Sequence, residues 1–204
     1  GPTGTGKTRT VEALAEVLHG SPKSLLRIDC GEYQMEHEVA KLIGAPPGYL
    51  GHRETHPILT QARLAGVTSK DCSLSVVLFD EIEKPAPSMN RLLLGVLAKG
   101  ALRLGDNSTV NFERSLIFLT SNLGARDMMK QLGPAFGFDA GQTESQELGT
   151  RLKTVAENAA KRQFAPEFMN RVVAVVTYQP LCEQSLRSIL DLQIEELQRQ
   201  YANR

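Results

Sequence analysis

Apolar positions along the chain alternate between a helical and a strand period. Val11, Leu14, Ala15 and Leu18 recur at the three- and four-residue steps of one helix face and predict a helix over residues 8–18. Gly20, Ser21 and Pro22 break that pattern before a strand expected at 25–29. Residues 74–79 form an apolar run that closes on Asp80 and Glu81, the pattern of a strand buried on both faces. A helix over 89–98 follows. Two short strands at 101–104 and 109–112 flank Gly105-Asp106-Asn107 and read as a hairpin. A second buried strand at 116–120 ends on Ser121 and Asn122. Gly, Pro, Gln, Thr and Ser dominate 133–145, which predicts a surface loop inside the domain, because a helical pattern resumes over 147–162. A last strand is expected at 172–177, and a helix over 183–201 closes the chain with no evident packing partner. Strands alternating with helices imply crossover connections and a largely parallel sheet, so the expected fold class is α/β.

Composition narrows the function classes. The 204 residues are 41% hydrophobic, enough for one buried core with room for a fragment of a second domain. Lys plus Arg and Asp plus Glu each number 23 and cancel, so no whole-chain field gathers nucleic acid or anionic lipid, and neither is expected as a partner. No apolar run approaches the ~20 residues that cross a bilayer. Cys30, Cys72 and Cys182 are widely separated and lack C-x-x-C spacing, which fits reduced thiols and a cytoplasmic location better than a disulfide frame or a zinc site. His19, His37, His52 and His56 show no metal-ligand spacing with Asp, Glu or Cys.

The chemistry begins at the first residue. Gly1-Pro2-Thr3-Gly4-Thr5-Gly6-Lys7-Thr8 has the P-loop spacing of Gly, four residues, then Gly-Lys-Thr. The glycines permit torsions and close approaches that bring successive N–H groups onto phosphate oxygens at a helix N-terminus. Lys7 supplies a point charge for the β and γ phosphates, and the Thr8 hydroxyl is placed for Mg²⁺. Such a loop ordinarily follows a strand, so the chain is expected to be a piece of a longer protein. Hydrolysis needs three further groups. Asp80 is the candidate to hold Mg²⁺ through water, and Glu81 to polarise the attacking water. Asn122, at the tip of the neighbouring strand, is the candidate to hold that water or sense the γ phosphate. Arg171, in Phe164-Ala165-Pro166-Glu167-Phe168-Met169-Asn170-Arg171, is the candidate cation for the transition state.

These motifs, in this order, resemble the AAA+ ATPase core. Gly44-Ala45-Pro46-Pro47-Gly48-Tyr49-Leu50-Gly51 and Asp80-Glu81-Ile82-Glu83-Lys84 further resemble the second ATPase ring of the Clp unfoldases and disaggregases. The resemblance spans nearly the whole chain. It implies a P-loop parallel-sheet core flanked by helices over 1–178, and the first helix of a small lid subdomain over 179–204. It also implies ATP and Mg²⁺ as cofactors and a hexameric ring in which Arg171 reaches the nucleotide of the next subunit. Tyr49 would lie on a central loop that grips an unfolded polypeptide. An aromatic flanked by glycines suits such an exposed paddle. Phe136-Gly137-Phe138 falls where members that dock on a ClpP-like peptidase ring carry an apolar-Gly-apolar tripeptide, though the two phenylalanines could equally fold back onto their own domain. The chain departs from the family pattern at His52-Arg53-Glu54-Thr55-His56-Pro57, where acidic residues and paired glycines are usual. It departs again at Val172-Val173, where Ile-Asp is usual. Gly124-Ala125-Arg126 has the letters of the lid's sensing arginine in the wrong place and is not assigned that role.

The leading expectation is therefore an ATP-driven protein unfoldase or disaggregase core. A nucleotide-responsive binding module with little hydrolysis is the alternative from another class. An AAA+ remodeller of a nucleic-acid-associated complex is disfavoured by the zero net charge.

Overall fold

The computed structural model describes residues 1–44, 57–132 and 142–202. Helix α1 (Lys7–His19) is entered through Gly6 and left through Gly20, both left-handed, with φ of 89° and 76°. The Gly20 N–H closes the last turn on the Glu16 carbonyl at 2.8 Å. Strand β1 (Leu26–Asp29) alternates, with Leu26 and Ile28 buried and Arg27 and Asp29 facing out. A 3-10 turn over Cys30–Glu32 leads to α2 (Glu36–Ile43), where the Glu38 carboxylate accepts from the Met35 N–H at 2.9 Å. Helix α3 (Gln61–Gly66) starts at Thr60, whose hydroxyl accepts from the Arg63 N–H.

Strand β2 (Ser75–Asp80) is buried at all six positions. Helix α4 (Pro87–Lys99) opens on a proline, whose missing N–H costs nothing at that position, and stops at left-handed Gly100. The hairpin forms as expected, β3 (Ala101–Arg103) antiparallel to β4 (Thr109–Asn111) with Leu102 opposite Val110. Strand β5 (Ser115–Leu119) follows, then α5 (Ala125–Leu132), α6 (Gln142–Gln163), the single turn α7 (Pro166–Met169) and α8 (Glu183–Ala202).

The main sheet has the order β1-β2-β5 and is parallel throughout. Its register sets Asp29 beside Asp80 and Phe79 beside Leu119, so all three strands end at one level. Because β2 is central, its side chains alternate between two apolar layers. Val77 and Phe79 enter the large core with Leu42, Met89 and Leu93, while Val76 and Leu78 pack on Val11 of α1. A smaller cluster of Met128, Leu152 and Ala156 joins α5 to α6.

One expected element is absent. Residues 172–177 form no ladder, and Val173 and Val176 are 101% and 76% exposed. A β-branched run becomes a strand only when its N–H and C=O groups meet a partner edge. Among the described residues nothing pairs with this run: β1, β2 and β5 pair only with one another, and residues 172–177 do not join the free edge of β5. Helix α8 forms over the expected span and leaves Leu186, Leu190 and Leu197 more than half exposed.

Candidate functional site

Parallel strands place ligand sites beyond their C-terminal ends, and the loop from Gly1 to Gly6 lies there. The Gly1 nitrogen is 3.2 Å from the Ser121 carbonyl just past β5. Gly4 and Gly6 have φ of 77° and 89°, and a Cβ on either would meet nothing within 4 Å. Torsion, not crowding, therefore demands glycine at those two positions. At Gly1 the reason is crowding, since a Cβ would stand 2.8 Å from the Tyr178 carbonyl oxygen. The result is an open cradle of about 580 Å³ bounded by Thr3 to Arg9, the ends of β1 and β2, Thr120 and Asn122.

Lys7 curls back over this loop. Its Nζ donates to the carbonyls of Gly1 and Pro2 at 2.8 and 2.7 Å, and to Asn122 Oδ1 at 2.7 Å. The Pro2 carbonyl also accepts from the Thr5 hydroxyl at 2.9 Å. Burial pulls the Lys7 pKa below its usual value, against the opposing pull of Glu83, Asp80 and Glu81. Thr8 Oγ1, on the first turn of α1, lies 3.2 Å from Asp80 Oδ2. The Asp80 carboxylate, 7% exposed, also accepts from Arg27 Nη2 at 2.6 Å and from the Thr120 hydroxyl.

Glu81 leaves the strand with φ 59°, an unusual torsion for a non-glycine residue, which turns its side chain into the cleft. Its N–H donates to Thr120 Oγ1 at 3.1 Å. Asn122 Nδ2 donates to Glu81 Oε1 at 3.1 Å, and Lys84 Nζ donates to Glu81 Oε2. Glu83 Oε1 accepts the Asn122 N–H at 3.0 Å.

The structure thus brings Lys7, Thr8, Asp80, Glu81 and Asn122 together. Arg171 is exposed beyond the end of α7 and does not line the cleft. Tyr49 and Phe136-Gly137-Phe138 lie outside the described residues. Arg27, Thr120 and Lys84 complete the site although the motifs assign them no role. The alternation of β1 sets Arg27 on the same face as Asp29, but nothing in the sequence pairs it with Asp80. Thr120 and Lys84 carry no signal beyond standing inside recognisable motifs. The open glycine cradle, the lysine folded against it and the hydroxyl beside a buried carboxylate fit a triphosphate and a hard divalent cation.

Comparison with known proteins places this geometry. The family described as AAA domain (Cdc48 subfamily) matches residues 1–175. The chain belongs to that family. Within it, this AAA domain is of Clp type and is an ATPase domain on the α/β P-loop fold. It is 36% identical over 197 residues to the ATP-dependent Clp protease ATP-binding subunit ClpA homolog of Porphyra purpurea, and likewise to ClpC of Staphylococcus aureus (strain USA300). The match covers 97% of this chain and 23% of each relative, so the AAA domain spans about a quarter of their length. Among solved structures, the S. cerevisiae Hsp104:casein complex superposes with a TM-score of 0.76 at 27% identity, over 97% of this chain and 31% of that one. The S. cerevisiae Hsp104-ADP complex gives 0.73 at 27% identity, over 98% and 32%.

Proposed function

We propose that this domain is the ATP-hydrolysing core of a ring-forming machine that unfolds, disaggregates or translocates protein chains. The observation that carries the reading is the convergence of Lys7, Thr8, Asp80, Glu81 and Asn122 on one cleft at the strand ends. Backbone N–H groups of the loop from Gly1 to Gly6 and the Lys7 ammonium would bind the phosphates of ATP. Thr8 and Asp80 would hold Mg²⁺, which when bound neutralises phosphate charge. Glu81 accepts a hydrogen bond from the attacking water, and Asn122 orients both that water and Glu81. Arg171, exposed and apart from its own cleft, suits a role on the neighbouring subunit in a hexamer.

Residues 1–178 are the large ATPase subdomain in this reading and 179–204 the first helix of the lid. Tyr49 grips the substrate polypeptide. Phe136-Gly137-Phe138 is the candidate contact for a ClpP-like peptidase ring, and the compartment is the cytoplasm. The test uses the full-length protein. Glu81→Gln should keep nucleotide binding and abolish phosphate release, while Tyr49→Ala should keep phosphate release and lose unfolding of a fluorescent substrate. Unchanged turnover in Glu81→Gln defeats the assignment of that carboxylate.

A further inference from the structure

The Glu81 carboxylate is held at both oxygens, and only one of the two donors belongs to the catalytic set described above. Asn122 Nδ2 holds Oε1 at 3.1 Å, and Asn122 Oδ1 in turn accepts from Lys7 Nζ at 2.7 Å. Lys84 Nζ holds Oε2. A continuous run of hydrogen bonds therefore passes from the phosphate loop through Asn122 and Glu81 to Lys84. An exposed ion pair three residues apart ordinarily contributes little stability, and the Lys84 side chain is 45% exposed. Its importance is geometric.

Left-handed Glu81 starts a tight turn, closed by the Lys84 N–H on the Glu81 carbonyl at 3.0 Å, that returns the lysine over the carboxylate. The lysine stem runs along the 3-10 turn after β1: a Cβ on Gly31 would stand 3.6 Å from Lys84 Cδ and 3.7 Å from Glu81 Oε2. The hydrogen bond to Glu81 raises the Lys84 pKa, so the ammonium is held charged. A carboxylate has about four acceptor directions, and one donor on each oxygen leaves room for a water on either.

We propose that Lys84 is a positioning residue for hydrolysis, its ammonium fixing the Glu81 carboxylate against Asn122 so that the remaining lone pairs face the cleft. This rests on the reading of Glu81 as the group that polarises water. In the full-length protein, Lys84→Met should lower kcat about tenfold, the scale of a small misalignment, with the KM for ATP changed less than about twofold. Lys84→Arg, which restores a cation of similar reach, should recover kcat to within about threefold. A crystal structure of Lys84→Met should show the Glu81 carboxylate no longer on Asn122.

Thermal melting and binding of a fluorescent ADP analogue check that the variants fold, and Lys84→Gln carries the same test if Lys84→Met melts early. Equal losses in the Met and Arg variants, or a carboxylate still seated on Asn122 in the Lys84→Met crystal, overturn the proposal. Wild-type turnover in Lys84→Met beside an inactive Glu81→Gln removes the proposal alone. Wild-type turnover in Glu81→Gln removes the reading of Glu81 and the proposal with it.

Discussion

The Thr120 hydroxyl is the joint on which the two acidic residues hang. It donates to the Asp80 carboxylate and accepts the Glu81 N–H, and Thr120 is itself 7% exposed. Valine has nearly the same shape and neither function, so Thr120→Val leaves a buried carboxylate and a half-buried N–H each short of a partner. The expected cost is about 1–3 kcal/mol of stability, read from chemical denaturation, with a fall in turnover because Glu81 loses the anchor of its backbone. Denaturation unchanged from wild type would mean that water or a neighbouring group replaces the hydroxyl. The glycines of the phosphate loop were legible because local backbone torsions demand them, as the left-handed Gly4 and Gly6 illustrate, and Asp80, Glu81 and Asn122 because they close two apolar strand runs. Arg27 was not, because its contact with Asp80 joins residues far apart in the chain and exists only through the β1-β2 register.

Elements with their own period or their own partner were equally legible: α1, α4, the β3-β4 hairpin and the buried strand β2 all form within a few residues of where their patterns place them. The strand expected at 172–177 was misread because its apolar run describes the segment and says nothing of the edge it must meet. Helix α7 was missed for the opposite reason. Four residues cannot sustain a helix alone, and this one is held by tertiary contact. Phe168, 4% exposed, stacks on Phe164 with ring centroids 5.1 Å apart and an interplanar angle of 24°. Both rings sit in the main core just ahead of Arg171. Phe168→Ala should therefore cost about 3–5 kcal/mol in chemical denaturation, the usual range for emptying a buried aromatic site. A loss under about 1 kcal/mol would show that the turn packs too loosely to aim the arginine that follows it.

At the scale of the whole molecule, the cleft holds every proposed hydrolytic group except one. Arg171 lies outside it on the surface, so the positive charge that a loose phosphoryl transition state needs must either swing in from its own chain or arrive from a neighbour. Mixing two disabled full-length proteins separates these cases. Arg171→Ala keeps an intact cleft and has no arginine to offer, whereas Glu81→Gln offers the arginine and cannot activate water. Arg171→Ala alone should fall to roughly a thousandth of wild-type phosphate release, since an arginine supplied in this way contributes about three orders of magnitude, and Glu81→Gln alone should release none. In a ring of head-to-tail contacts, a random equal mixture places an arginine-bearing neighbour beside an intact cleft at roughly a quarter of the sites, and turnover should recover toward that fraction. If the arginine serves its own subunit, no pairing makes a complete site and the mixture stays as slow as its parts. Recovery would also require subunits to associate through one heterologous face, so the same titration tests the ring that a zero net charge permits and a single subunit cannot display.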